Sequence, residues 1–232
     1  MEWEQTLQKA DEILETNDKN KGKGWWGSLE KRKFERRMGK LLSIPCLSVA
    51  MLGAVPVWLY DRKLPFVTLD RHHPDGSVLP IIKIRTMCEG AHLLEQDLCQ
   101  GGTLMNVKNG NDPRLTPIGR VLSRISVNEL PQAVNVALDQ MALVGPRPWS
   151  DVECENVIKP NIDSDPYKTL WGYYSEGLKW GWVGLASVLA RNEESMARRW
   201  ELELLYAERA SKTGDFRIVK NMATNGVLWQ GK

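Results

Sequence analysis

The sequence predicts an α+β protein. A basic N-terminal helix and a proline-bent, re-entrant membrane helix come first, and a compact, mostly helical domain with a small sheet follows. Three observations support this class: residues 41–60 carry no charged side chain, lysines and arginines crowd the segment before them, and strand-like and helical patterns follow. We therefore predict an N-terminal amphipathic helix and linker at 1–27, a basic arm and re-entrant membrane-associated helix at 28–60, and a cytoplasmic domain at 61–232.

The first element is a short amphipathic helix. Residues 1–18 place Trp3, Leu7, Ile13 and Leu14 at helical spacing, and the stretch "NDKNKGKG" then ends the pattern. The sequence therefore predicts one short helix followed by a flexible joint.

The second element is a basic helix that begins after Ser28, a residue type suited to the N-cap position. Charged side chains at membrane depth cost a few kcal/mol each unless they reach the headgroups, so shallow attachment to anionic lipid is expected. The basic residues predicted to contact the membrane are Lys31, Arg32, Lys33, Arg36 and Arg37.

The third element is the uncharged run 41–60, whose length is about that needed to cross a bilayer. Pro45 removes a backbone donor and clashes with the preceding turn, so a bend is expected there. A bent hairpin could enter one leaflet and return, which leaves both flanks on the cytoplasmic face. A buried core helix is the alternative.

The rest of the chain alternates short elements and loops. Strands are predicted at 64–70 and 78–84, a helix at 86–98, loops at 101–117, helices at 117–124 and 129–138, irregular structure at 171–182, and helices at about 192–211 and 215–229. This order predicts a mixed domain without internal repeats.

The composition excludes several classes of protein. The net charge of +2 is too small to indicate nucleic acid as a partner. The four cysteines lack metal-ligand spacing, which is typical of a reduced, cytoplasmic protein. Dinucleotide-binding, P-loop, zinc-protease and serine-hydrolase motifs are absent from the sequence.

Arginine recurs beside glycine or proline, as in "NDPRLTPIGR" and "GPRP". Rigid turns that present guanidinium groups are suited to bidentate phosphate binding. The predicted phosphate and substrate residues are Lys83, Arg85, Asp112, Arg114, Thr116, Arg120 and Arg147.

Four segments in close order, "KIRTM", "DPRLTPIGRVL", "NELPQAVNV" and "MALVGPRP", resemble the bacterial sugar transferases of the monotopic phosphoglycosyl transferase family. The resemblance covers residues 28–225 and is strongest from 81 to 148. It implies that residues 61–232 form a sugar transferase domain. It also implies transfer of a phosphosugar from a nucleotide-diphosphate sugar to polyprenol phosphate, at the cytoplasmic face of the bacterial inner membrane. A homodimer and a complex with a partner transferase both stay open.

The resemblance assigns the catalytic centre to the turn at Asn128 and Glu129. Family members carry a nucleophilic Asp at the first position and a Glu at the second, and they work with magnesium, so Glu129 is the expected metal ligand. Arg124 matches the second residue of the family's basic pair and joins the substrate-binding set. Ser123, Gln140 and Ala142 depart from the family pattern.

Asn128 leaves two functions open. Its neutral amide is a poor nucleophile and a weaker magnesium ligand than a carboxylate. The chain is therefore either an active transferase that uses Glu129 or a catalytically silent relative that binds a nucleotide sugar or a partner transferase. Asn128 is also predicted to cap the helix at 129–138, since Asp and Asn cap about equally well. An engineered substitution is the alternative origin of Asn128.

Overall fold

The computed structural model describes residues 2–73, 77–91, 94, 112–150, 155, 159–165, 167–190 and 195–226. These residues form an α+β fold in which helices predominate, as predicted. The helices are α1 (Glu2–Leu14), α2 (Lys23–Trp26), α3 (Leu29–Asp61), α4 (Pro117–Arg124), α5 (Gln132–Ala137), α6 (Tyr167–Ser175), α7 (Leu185–Leu189), α8 (Met196–Arg209) and α9 (Lys212–Asn221). The strands are β1 (Phe66–His72), β2 (Val78–Ile84), β3 (Ala142–Val144) and β4 (Gly181–Val183).

Helix α1 forms where the sequence predicts it, and it packs against the rest of the domain. Its residues Ile13 and Leu14 lie in the main hydrophobic core. The predicted flexible joint is anchored, because the Gly22 amide donates to the Ala210 carbonyl at 2.8 Å and Asp18 accepts from the Thr213 amide at 3.0 Å. Residues 1–27 therefore belong to the compact domain.

Helix α3 joins the predicted basic and apolar helices into one element of 33 residues. It begins as predicted, with the Ser28 hydroxyl accepting from the Lys31 amide at 3.1 Å. Pro45 and Pro56 both lie inside it. Among the described residues it is the helix long and apolar enough to cross a membrane, and only 17% of its most apolar 18-residue stretch is buried. That exposure argues against a core helix, while the re-entrant path stays a prediction.

Helices α3 and α5 cross at very short range. A Cβ atom at Gly39 would lie 2.5 Å from the Ala137 amide nitrogen, so only glycine permits this approach. Next to it, the Ser43 hydroxyl donates to the Ala133 carbonyl at 3.3 Å. The crossing fixes α3 to the domain that carries the candidate site.

Two small sheets organise the domain. β1 and β2 form an antiparallel hairpin in which Phe66 faces Ile84, and both strands were predicted. β3 and β4 pair in parallel, with Ala142 opposite Gly181. A Cβ at Gly181 would lie 2.1 Å from the Gly145 nitrogen, so this pairing depends on a glycine.

The prediction of irregular structure at 171–182 is wrong, because α6 and β4 occupy most of it. A strand of three residues carries too little alternation to be recognised from a sequence. The last two helices are confirmed, with α9 beginning earlier than predicted. The helix predicted at 86–98 does not begin at 86, because Met87 pairs with Leu115 and a turn follows. Residues 92–93 and 95–98, most of the loop predicted at 101–117 and residues 227–232 lie outside the described residues.

Candidate active site

Asn128 lies inside a short 3-10 helix, Val127–Glu129, which follows Ser126 in the left-handed conformation (φ 57°). Helix α5 begins only at Gln132, after Pro131, and has no side-chain cap. The prediction that Asn128 caps a helix at 129–138 is therefore wrong. Pro131 has no amide hydrogen to donate to the preceding turn, and here the chain forms a separate 3-10 turn before it.

Glu129 forms an ion pair with Lys83 on β2, with 3.0 Å between Nζ and Oε1. The Glu129 side chain is 39% exposed and that of Lys83 is 23% exposed. A carboxylate and a cation are therefore accessible together beside Asn128. The two predicted site residues come from segments 46 positions apart in the sequence.

Asn135 on α5 holds β2 beside this turn. Its side-chain oxygen accepts from the Ile82 amide at 3.3 Å, and its nitrogen donates to the Pro80 carbonyl at 2.7 Å. The same nitrogen donates to Oε1 of Gln140 at 2.8 Å. Gln140, which departs from the family pattern, thus supports the residue that positions the strand of Lys83.

Arg85 points to the C-terminal end of α3. Its guanidinium forms two hydrogen bonds with the Asp61 carboxylate, and its Nε donates to the Leu64 carbonyl at 3.0 Å. The pair joins α3 to β2. To bind a phosphate, Arg85 would have to release Asp61.

Arg114 is largely buried against Asp112, with Nε–Oδ1 and Nη2–Oδ2 distances of 2.9 and 2.7 Å. Thr116 caps α4 by accepting from the Gly119 amide at 2.9 Å. These residues shape the entry to α4, which exposes Arg120 and Arg124 to solvent. Of the predicted arginines in this stretch, the exposed ones on α4 are better placed to meet a ligand.

Arg147 lies just after β3, in the segment 144–148, which we call the Arg147 segment. Its guanidinium carbon is 5.8 Å from the centre of the Trp149 ring, within cation–π range. Its amide donates to Oε1 of Glu203 at 3.3 Å. The preceding Pro146 carbonyl accepts from the Gly181 amide at 2.7 Å, which extends the contact with β4.

Glu203 on α8 is fully buried, and sequence reasoning missed it. Burial raises the pKa of this carboxyl to about 7, although the Arg147 amide and the charges of Arg199 and Arg147 act in the opposite direction. A signal existed in the sequence. Glu203 lies three residues from both Trp200 and Tyr206 and four from Arg199, so an acid and a base interrupt the apolar face of the helix.

Lys31 was predicted to contact the membrane, and that prediction is wrong. It is buried, forms ion pairs with Glu35 (2.9 Å) and Asp215, and donates to the Val144 carbonyl at 3.0 Å. Two carboxylates compensate the cost of burying its charge. The Val144 amide in turn donates to Oε1 of Glu35 at 3.0 Å, so α3 holds both main-chain groups of this residue.

The other basic residues of α3 lie on the surface. Lys33, Arg36 and Arg37 are exposed. Arg32 pairs with Asp139 at 2.7 Å, and Asp139 also binds Lys179. Burial alone would raise the pKa of Asp139, but the hydrogen bonds from Lys179 and Arg32 lower it.

The turn offers two oxygen donors on adjacent residues, Glu129 and Asn128, that could hold a metal ion. In the described part of the chain, no group of three or more His, Cys, Asp or Glu side chains could hold a metal. Magnesium in phosphate chemistry often uses one or two carboxylates together with phosphate oxygens. Glu129 and the amide oxygen of Asn128 provide such a minimal set.

Comparison with known proteins gives matches over the part of the chain that contains this site. The family description "Bacterial sugar transferase" matches residues 26–228, which leaves α1 outside the match. The exopolysaccharide production protein ExoY of Sinorhizobium fredii (strain NBRC 101917 / NGR234) is 28% identical over 199 residues, or 83% of each chain.

Two longer relatives match over part of their length. The UDP-galactose-lipid carrier transferase of Erwinia amylovora is 29% identical over 82% of this chain and 38% of its own. The UDP-glucose:undecaprenyl-phosphate glucose-1-phosphate transferase of Escherichia coli (strain K12) is 30% identical over 64% of this chain and 30% of its own.

Proposed function

The chain belongs to the bacterial sugar transferase family, and on this premise we propose that it transfers a phosphosugar from a nucleotide-diphosphate sugar to polyprenol phosphate. The observation that carries the proposal is the family match over residues 26–228, which includes the Lys83–Glu129 pair and Arg147. Relatives named for exopolysaccharide production and for undecaprenyl-phosphate transfer support the same reaction in glycan synthesis.

Glu129 is the carboxylate that the described turn offers as a nucleophile. One of its oxygens attacks the β-phosphorus of the nucleotide sugar, the bond from that phosphorus to the bridging oxygen breaks, and the nucleoside monophosphate leaves. A phosphate oxygen of polyprenol phosphate then attacks the same phosphorus and releases the Glu129 carboxylate. Lys83 and Arg147 would balance the charge of the phosphates.

Magnesium, which this proposal retains, would be held by Glu129 with the Asn128 amide oxygen. When bound, the ion neutralises the diphosphate and so makes the approach of an anion less costly. The Lys83 ammonium, 3.0 Å from Glu129, would have to share this carboxylate with the ion.

The exposed apolar surface of α3 would attach the protein to the cytoplasmic face of the inner membrane. Burying such surface in lipid is favourable, and Lys33, Arg36 and Arg37 would contact anionic headgroups. A protein that stays a soluble monomer in low-salt buffer without detergent would contradict this attachment. The exposed apolar residues are Leu41, Ile44, Val49, Met51, Leu52, Val55, Trp58 and Leu59.

A second candidate function is a catalytically silent relative that binds a nucleotide sugar or a partner transferase. The observation in its favour is Asn128, a neutral amide at the position that the resemblance assigns to the family's nucleophile. The names of the relatives favour transfer over this alternative.

Release of uridine monophosphate separates the two functions. The full chain in lipid nanodiscs is mixed with Mg²⁺, polyprenol phosphate and either UDP-glucose or UDP-galactose. The proposal expects uridine monophosphate from the wild type and a loss of this release in Glu129→Gln. Glu176→Gln is the matched control, because Glu176 also forms an exposed ion pair with a lysine, Lys23 (3.1 Å).

The outcomes are distinct. Turnover in the wild type and in E176Q, but not in E129Q, supports transfer by Glu129. An inert wild type that gains turnover on Asn128→Asp would instead support the silent relative and identify the missing carboxylate as the cause.

A further inference from the structure

Helix α8 contacts the Arg147 segment and the adjacent Trp149 at two points. The first is the hydrogen bond from the Arg147 amide to Oε1 of Glu203. The second is aromatic: the Trp200 ring stacks on Trp149 with 5.3 Å between ring centres and 26° between planes, and Trp149 lies beneath the Arg147 guanidinium. Glu203 and Trp200 are three residues apart, so one helix face contacts the Arg147 main chain directly and supports its guanidinium through Trp149.

A buried carboxylate at this position needs a physical reason. Removing a charge from water costs several kcal/mol unless hydrogen bonds or opposite charges compensate it. Glu203 is 0% exposed, and within the described ranges its Oε2 has no hydrogen-bond partner. The charge of buried Arg199, four residues earlier on α8, compensates part of this cost. It does not explain the hydrogen bond that Glu203 accepts from the Arg147 amide, for which a role in positioning Arg147 offers an explanation.

The backbone at Gly184 and Gly145 lies close to the Glu203 carboxylate. A Cβ at Gly184 would lie 3.2 Å from Oε1 of Glu203 and 2.9 Å from the Gly145 carbonyl oxygen. Because Pro146 and Pro148 flank Arg147, each with a φ fixed by its ring, the Arg147 amide is the exchangeable backbone hydrogen at the centre of this tripeptide. A single acceptor can therefore set the position of the loop.

We propose that Glu203 is a positioning residue for phosphate recognition, whose carboxylate fixes the Arg147 main chain so that the guanidinium faces the diphosphate of the nucleotide sugar. This inference rests on the proposed function, in which Arg147 binds phosphate. Glu203 itself does not touch the ligand. The chemistry it serves is the recognition of a nucleotide diphosphate.

Binding of uridine diphosphate, measured by calorimetry on the full chain in nanodiscs, tests the proposal. Glu203→Met keeps the length of the side chain and removes the acceptor, whereas Glu203→Gln keeps an oxygen acceptor. We expect E203M to weaken binding by about fivefold to tenfold, the loss of one positioning hydrogen bond, and E203Q to bind within about twofold of the wild type. Glu208→Gln, an exposed acid on the same helix, is the matched control and should bind as the wild type does.

A double-mutant cycle with Arg147→Ala separates positioning from a general loss of stability. If Glu203 acts through Arg147, adding E203M to R147A should cost less than about twofold further, because the interaction is already gone. Independent losses that multiply, or an E203M variant that binds as the wild type does while R147A is weakened, would overturn the proposal. An R147A variant with unchanged binding would instead remove its premise, the phosphate role of Arg147.

Hydrogen exchange provides a second readout if E203M does not fold. We expect the Arg147 amide to exchange faster in E203Q than in the wild type, since an amide oxygen is a weaker acceptor than a carboxylate, and at the wild-type rate in E208Q. Equal exchange rates in all three proteins would show that Glu203 does not hold this amide and would overturn the proposal.

Discussion

The Arg147 segment and the turn at Asn128 and Glu129 serve the same proposed reaction but are held very differently. Buried side chains of α3 and α8 bind the main chain of the first region at Val144 and Arg147. The second region is a half-exposed turn of 3-10 helix held by local backbone bonds and by the ion pair from Glu129 to Lys83. Buried charges thus hold the Arg147 segment, whereas the side chains of the turn can be replaced without disturbing the core.

The largest expected effect is on the turn. Glu129→Gln should lower the rate of uridine monophosphate release by about 1,000-fold or more, because it removes the nucleophile. The free energy of unfolding should change little, since Glu129 is part of a partly exposed ion pair. The rate of release and the free energy of unfolding, measured on the same preparation, check these two expectations. A variant that loses stability along with activity would break the comparison.

An effect of similar free energy, but on stability, is expected at Lys31, which donates to the Val144 carbonyl of the Arg147 segment. Lys31→Met leaves Glu35 and Asp215 buried without their cation, which should cost about 3–5 kcal/mol of unfolding free energy. The exposed neighbour gives the control, and Lys33→Met should stay within about 0.5 kcal/mol of the wild type. Denaturant unfolding in detergent measures both. Equal stabilities of the two variants would contradict the role assigned to the buried cluster.

The next effect is a pH dependence of stability that belongs to Glu203. Its pKa rises from 4.5 to about 7 on folding, so between these values the folded state binds more protons than the unfolded state. The contribution of Glu203 to stability is therefore complete below pH 4.5 and is lost as the pH rises to 7, by roughly 3 kcal/mol at most. Glu203→Gln should remove this slope. Unfolding curves at pH 5 and 8 for wild type and variant test it, and parallel pH profiles would contradict it.

The smallest expected effect is on the rate of uridine monophosphate release and belongs to Asn128. Asn128→Asp should raise the rate of uridine monophosphate release by about tenfold, because it places a carboxylate where the resemblance assigns the family's nucleophile. Stability should be unaffected, since the side chain is half-buried in a turn. Steady-state rates for the variant and for Glu176→Gln give the measurement. A lower rate in N128D would mean that a second negative charge disfavours the anionic substrate.

Much of the fold could be predicted from local patterns. Thr116 followed by Pro117 marks the start of α4, and Ser28 marks the start of α3, because capping depends on neighbouring residues. β4 could not be predicted, since its three residues pair with β3, a partner distant in the sequence, and approach Gly145 just after that strand. Helix α5 begins later than the sequence predicts, because a separate 3-10 turn precedes Pro131.

The residues of the candidate site could be predicted from the sequence, but the contacts between them could be predicted only in part. Sequence order relates Asn128 to Glu129, but the contact of Glu129 with Lys83 arises from the fold. Lys31 shares a basic segment with Lys33, and local charge does not reveal that Lys31 faces Asp215, 184 positions away. Buried ion pairs of this kind depend on tertiary packing, which periodicity alone does not encode.

Mass spectrometry of the protein quenched during turnover tests the central claim most directly. The full chain is incubated with Mg²⁺ and UDP-glucose or UDP-galactose in the absence of polyprenol phosphate. Our account predicts a phosphosugar attached to Glu129 and an equal amount of uridine monophosphate released. A wild-type chain that forms neither product, while Asn128→Asp forms both with the adduct at residue 128, would contradict it.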